Sequence, residues 1–216
     1  MESLQDLFIG IAGIIGAGKS TLATALGNHL GLPVYYEPVA DNEYLADFYA
    51  DTKRYAFATQ IYLLNRRFQQ HQEIIWHGGG GVQDRTIYED AVFAKMLCQM
   101  ELMEDRDYRT YLQLFRHMSN FMCRPNVIVY LDVKPERSYE RVQMRARDVE
   151  SALSLEYLNA LYAEYERFIG DISRTVPVIR VDWDDFKSAE EMATVIEREY
   201  LTHSFLRSVT WNPLKS

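Results

Sequence analysis

The chain has 216 residues, 48% of them hydrophobic, which suffices to bury one core as a single domain over 1–216. A formal net charge of −8 argues against a nucleic-acid groove or an anionic membrane surface as the main partner, while leaving room for a locally basic pocket. No run is long and apolar enough to span a bilayer, and residues 7–17 lack the basic leader of a secretory signal, since Glu2 and Asp6 precede them. Cys98 and Cys123 sit on apolar helical patterns and suit free core thiols in a reducing, cytoplasmic setting.

In chain order, residues 7–12 read as a buried strand running into Gly13-Ile14-Ile15-Gly16-Ala17-Gly18-Lys19-Ser20, a complete G-x-x-x-x-G-K-S loop. Leu22, Leu26 and Leu30, spaced four apart, then open a helix. Strand, glycine loop and helix together predict a nucleoside triphosphate site. Gly13, Gly16, Ala17 and Gly18 would offer backbone N–H groups to the phosphates, and the helix start at Ser20 and Thr21 adds positive potential. Lys19 would reach the terminal phosphates and the Ser20 hydroxyl would ligate Mg²⁺.

A second strand at 34–37 is followed by helices at 42–51 and 55–77, the longer one carrying the apolar stripe Phe57, Ile61, Leu64, Phe68 and Ile75. Glycines at 78–81 stop it before a strand at 81–84. Helices at 88–100 and 107–122, a strand at 127–132, helices at 135–147 and 155–174, a strand at 178–182 and a helix at 189–203 follow. This alternation predicts an α/β fold with a five-stranded parallel sheet covered by helices on both faces. No repeat, linker or low-complexity tract interrupts it, and residues 210–216 are expected to be loose. Trp76 and Trp183 read as packing residues, and His29, His71, His77, His117 and His203 show no ligand-like spacing, so no metal beyond the nucleotide's is expected.

Open α/β sheets bind ligands at the C-terminal edge of their strands. Glu37 stands there and suits a general base for an attacking hydroxyl, although a solvated strand-end glutamate would look the same. Gln60 and Arg67, seven apart on one helix, can point into one cleft, and a side-chain amide pairs a donor with an acceptor as a base edge requires. The apolar run 128–131 ending in Asp132 has the look of the strand that carries a magnesium-associated acid in hydrolases. Arg141 and Arg145 share a helix face, with Arg147 just beyond; guanidinium forks grip phosphates, and arginines at a helix C-terminus also suit its dipole.

Several of these motifs resemble those of the deoxynucleoside kinase family, especially its bacterial branch acting on deoxyadenosine and related nucleosides, over about residues 7–187. The resemblance implies a P-loop kinase with an arginine-rich lid at about 141–153. Glu37-Pro38-Val39 looks like the family's strand-end motif, which makes Glu37 the base for the sugar 5′-hydroxyl. Tyr49 and Gln60 resemble the pair that holds the 3′-hydroxyl and the base edge. Asp84-Arg85-Thr86 resembles the D/E-R-S motif, with threonine for the commoner serine; it implies Asp84 near Mg²⁺ and Arg85 on the 5′-oxygen and transferred phosphoryl. Asp84 is thereby preferred to Asp132, which would instead cap the helix beginning near Pro135. Asp90 matches the acid that works with Arg67 to admit purines. Arg141, Arg145 and Arg147 look like the lid, with Glu150 closing over the 3′-hydroxyl, and Asp185-Phe186 resembles the segment around the donor adenine, with Arg141 on its other face. Asn42 stands where animal members carry tryptophan.

The implied activity is transfer of the γ-phosphoryl of Mg²⁺-ATP to the 5′-hydroxyl of a purine 2′-deoxynucleoside in nucleotide salvage. Deoxyadenosine is favoured, with deoxyguanosine and deoxycytidine as further candidates, and Lys19, Arg85, Arg145 and Arg147 would stabilise the moving charge. A homodimer through the helices at 88–100 and 107–122 and feedback by a deoxynucleoside triphosphate are expected as well, with no nucleic-acid or membrane partner. Two other readings compete. In a nucleoside monophosphate kinase of the thymidylate type, Glu37 would repel the acceptor's phosphate; a guanine-nucleotide switch usually carries an N/T-K-x-D element, which this sequence lacks.

Overall fold

A computed structural model describes residues 6–37, 42–76, 80–145, 153–185 and 188–202. The apolar strands β1 (Phe8–Ala12) and β4 (Val127–Asp132) are buried along almost their whole length, as strands covered on both faces must be. With β2 (Val34–Tyr35), β3 (Gly81–Asp84) and β5 (Val178–Asp182) they form one parallel sheet in the order β2-β3-β1-β4-β5. Register sets Ile11 beside Asp84 on one side and Val129 on the other, so the loop leaving β1 emerges between the ends of β3 and β4.

Helices return the chain to the sheet after each strand: α1 (Lys19–Leu30), α2 (Leu45–Ala50), α3 (Thr52–Trp76), α4 (Asp90–Gln99), α5 (Asp105–Ser119), α6 (Pro135–Arg145), α7 (Leu155–Ile172) and α8 (Ala189–Thr202). α1 packs on α8, while α3, α4, α5 and α7 form a second layer. Ser154 caps α7 by accepting the N–H of Tyr157 at 3.1 Å. A 3-10 turn at Ile87–Glu89 links β3 to α4 and is fixed by a reciprocal cap, in which Thr86 and Glu89 satisfy each other's backbone N–H groups. Gly10 lies against the γ-methyl of Thr86, and a Cβ at residue 10 would overlap it.

Several expectations need correction. β2 ends at Tyr35, two residues early, which frees Glu37 from the ladder. α3 starts at Thr52 because the Asp51 carboxylate accepts the N–H of Arg54 at 3.2 Å. α5 begins at Asp105 and stops at Ser119, so Cys123 falls beyond the helix. There its N–H donates to His71 Nε2 at 3.0 Å and the residue is exposed; Cys98 is only half-buried. Both thiols are free, but neither is a core residue. Trp183 is buried as a packing residue, whereas Trp76, the last residue of α3, is 74% exposed.

Candidate active site

The phosphate loop takes its shape from residues that only glycine supplies cheaply. Gly16 and Gly18 have φ of 77° and 89°, and a Cβ on Gly16 would press on the Ser138 carbonyl of α6. Lys19, at the start of α1, curls back to donate to the Ile14 carbonyl at 2.9 Å. Burial first, then repulsion from Arg85, lowers its pKa to about 8. The Ser20 hydroxyl donates to Asp84 Oδ2 at 2.5 Å across the gap between α1 and β3. Asp84 Oδ1 is buried and makes no hydrogen bond, and burial raises the carboxyl's pKa. A hydroxyl beside a carboxylate with an oxygen to spare, at the mouth of a phosphate loop, fits a hard, oxygen-seeking cation.

Asp132 is committed elsewhere. It accepts from the Tyr162 hydroxyl at 2.9 Å and from Arg180 Nε at 2.8 Å, and it does not cap α6. The backbone N–H of Lys134, just ahead of α6, goes instead to Asp184 Oδ1 at 2.8 Å.

Glu37 sits between two arginines. Its Oε1 accepts from Arg67 Nη2 at 2.5 Å and from Arg85 Nε at 3.0 Å. Burial alone would raise its pKa, but Arg85, then Arg67 and Lys19, outweigh it and hold the carboxyl at about 2. Arg67 also pairs with Asp90, both being fully buried, so one guanidinium ties Glu37 to the first residue of α4. Arg85 has φ of 67°, a strained value for a side-chain-bearing residue, while its N–H still donates to the Ile11 carbonyl at 3.0 Å.

A cavity of about 640 Å³ runs from the phosphate loop to the α2–α3 corner. Gly16, Gly18, Lys19, Ser20, Thr21, Glu37, Asp84, Arg85, Arg141 and Arg145 line one end, and Tyr49 and Gln60 the other. Gly13 and Ala17 shape the loop without lining the cavity. Arg67 and Asp90 lie beneath its wall and act on it through Glu37. Arg141 donates to the Trp183 and Asp184 carbonyls at 2.6 and 2.9 Å, joining α6 to the chain after β5. Asp185 is exposed beside Arg137 and outside the cavity. Arg147, Glu150 and Phe186 lie outside the described residues.

Sequence reasoning missed or undervalued five residues. Tyr157 lines the cavity from α7, its pKa raised by burial and then by the neighbouring Tyr49. Thr59 is buried at the recess with a hydroxyl that makes no hydrogen bond; its only signal was its place beside Gln60. Glu89 and Tyr165 form a buried pair against Arg85, from positions 76 residues apart. Asn42, noted only for what it replaces, lines the cavity, its Oδ1 accepting from the Tyr44 N–H at 3.0 Å and its Nδ2 buried without a partner.

A parallel sheet, a phosphate loop and a buried carboxylate facing it across a cleft define a phosphotransferase of the P-loop class. The family model for deoxynucleoside kinases matches residues 9–203, and the chain belongs to that family as an ATP-dependent deoxynucleoside kinase. It is 56% identical to a deoxyadenosine kinase of Dictyostelium discoideum over 96% of this chain and 85% of the relative. A deoxyadenosine/deoxycytidine kinase of Bacillus subtilis is 38% identical over 84% and 85%. Among solved structures, deoxyadenosine kinase from M. mycoides with bound dCTP superposes with a TM-score of 0.80 at 29% identity, covering 89% of this chain and all of the other. The same enzyme has been solved with dATP. These findings displace the monophosphate-kinase and switch readings.

Proposed function

We propose that this kinase phosphorylates the 5′-hydroxyl of purine 2′-deoxynucleosides, deoxyadenosine before deoxyguanosine, with deoxycytidine as a second substrate. The observation that carries the reading is the placement of Glu37, an ionised carboxylate beside the phosphate loop in a cleft whose other end is an uncharged recess. An acceptor that brought its own phosphate to this point would meet a fixed negative charge; a neutral hydroxyl meets a hydrogen-bond acceptor. High identity to a deoxyadenosine kinase supports adenine, and the dual-named B. subtilis relative supports cytosine as the second base.

Glu37 accepts the 5′-hydroxyl proton as the sugar oxygen attacks the γ-phosphorus and the bond to the β–γ bridging oxygen breaks. Held at about pKa 2, it is a weak base, which suits a loose transition state in which the proton leaves late. Arg85 spans Glu37 and the path of the phosphoryl, Lys19 meets the terminal phosphates, and Arg145, with Arg147 and Glu150 of the lid, closes the site against water. Ser20 and Asp84 would hold Mg²⁺, which supplies charge neutralisation at the phosphates. Tyr49 and Tyr157 take the sugar, Gln60 reads the base, and the Arg67–Asp90 pair sets the room for a purine; Phe186 and Arg141 take the donor adenine. We further place the enzyme in the cytoplasm, as a homodimer through α4 and its neighbours, with feedback by a deoxynucleoside triphosphate. Among the described residues no helix is long and apolar enough to cross a membrane.

ADP release with Mg²⁺-ATP over a panel of four deoxynucleosides, the ribonucleosides and four deoxynucleoside monophosphates tests the reading. Deoxyadenosine should lead in kcat/KM. A monophosphate as the preferred acceptor would contradict it.

A further inference from the structure

Arg85 is held on three sides. Its Nε donates to Glu37, its guanidinium carbon lies 4.6 Å from the centre of the Phe93 ring, and Nη1 donates to the hydroxyl oxygen of Tyr165. The first two contacts face the cavity, which Glu37 and Phe93 both line. The third comes from behind. Tyr165 is fully buried in the middle of α7, its ring parallel to that of Tyr130 at 6.2 Å and edge-on to Phe93 and Phe168. Its hydroxyl has one proton, and that proton goes to Glu89 Oε2 at 2.8 Å, leaving the oxygen's lone pairs to Arg85. Glu89 is itself fully buried, and its other oxygen accepts the Thr86 N–H at 2.9 Å and the Thr86 hydroxyl at 3.4 Å.

The chain of bonds is closed and directional. Thr86 fixes Glu89, Glu89 orients the Tyr165 hydroxyl, and that hydroxyl presents an acceptor to Arg85, which is one residue before Thr86 in sequence. A buried carboxylate is costly unless its oxygens are used, and both are. The ring stack leaves the tyrosine little freedom of its own. A packing role alone would need the ring but not the oxygen.

We infer that Tyr165 and Glu89 are positioning residues for the phosphoryl transfer, an anchor that fixes the Arg85 guanidinium in line with Glu37. The inference rests on the role proposed above for Arg85. Neither residue touches substrate: Tyr165 and Glu89 do not line the cavity. Their effect is on where the positive charge stands when the phosphoryl moves, and displacement of a catalytic group by about 1 Å costs on the order of a hundredfold in rate.

Tyr165→Phe removes only the oxygen and keeps the ring stack, so the fold is retained and the variant reads the anchor alone. It should lower kcat roughly ten- to fiftyfold while the KM values for deoxyadenosine and ATP stay within about twofold. Glu89→Gln should lose at least as much, because the amide still accepts from Thr86 but presents N–H where Tyr165 needs an acceptor, and the 3.7 Å ion pair of Glu89 with Arg85 Nη1 is lost as well. In an Arg85→Lys background, which keeps the charge but loses the fork, Tyr165→Phe should change kcat by less than about twofold, since the two act as a unit. An unchanged kcat in Tyr165→Phe, or losses that multiply in the double variant, would overturn the anchor while leaving Arg85 its role. An unchanged kcat in Arg85→Lys would instead contradict the role of Arg85, and the anchor with it.

Discussion

At the phosphate end of the cleft Lys19, Glu37, Asp84 and Arg85 are all ionisable, mostly buried and bonded to one another or to the backbone. At the recess end Leu45, Phe48, Tyr49, Thr59, Gln60, Leu63 and Tyr157 carry no charge. The two ends also differ in how their hydrogen-bonding capacity is used. The charged end is cross-braced before any ligand arrives, by Arg67 and Arg85 on Glu37 and by Ser20 on Asp84. The recess holds neutral polar atoms with nothing to bond, Thr59 Oγ1, Gln60 Oε1 and Asn42 Nδ2, whereas a free atom at the charged end, Asp84 Oδ1, is a carboxylate oxygen suited to a cation. Buried polar atoms left without partners are costly, so this end gains most from a ligand that supplies them. Rate is built into the first end as rigid charge, and choice into the second as unmet hydrogen bonds.

Cutting the bracing under the cavity should have the largest effect. Asp90→Asn leaves Arg67 with Glu37 as its remaining carboxylate, and we expect a stability loss on the order of 3 kcal/mol, seen as a lowered Tm or denaturation midpoint. Gly10→Ala forces a methyl onto Thr86 and should cost about 1–3 kcal/mol, most of it recovered in the double variant with Thr86→Ser, which removes the opposing methyl. At the recess, Gln60→Leu should raise KM for deoxyadenosine roughly tenfold for each hydrogen bond lost, with ATP kinetics unchanged. The smallest effect is in pH. With its pKa lowered to about 8 in the free enzyme, Lys19 loses its proton as pH rises through that value, so kcat/KM for ATP should fall severalfold from pH 7 to pH 9. Glu37 stays ionised throughout that range, so no acid limb above pH 5 belongs to it.

The charged end was the more legible in sequence, for a physical reason. The phosphate loop is contiguous because its ligands are consecutive backbone N–H groups, so eight adjacent residues announce it, and the strands 81–84, 127–132 and 178–182 have the limits expected from the sequence. The bracing is not contiguous: Arg67 meets Glu37 across 30 residues and Arg85 meets Tyr165 across 80, separations that leave no periodic trace. Asp132 shows the limit of pattern alone, since a strand-end aspartate looks the same whether it faces a metal or, as here, Tyr162 and Arg180. Cys123 and Trp76 were misjudged because apolar spacing runs up to and past helix ends, where residues need not face the core: Trp76 closes α3 and Cys123 lies beyond α5.

The role of Glu37 as the base is read from turnover and ligand binding by Glu37→Gln. Loss of the base should reduce kcat for deoxyadenosine about 10²- to 10⁴-fold, with calorimetric affinities for ATP and deoxyadenosine within severalfold of the unmodified enzyme. A kcat within tenfold of normal, or a loss confined to binding, would contradict that role.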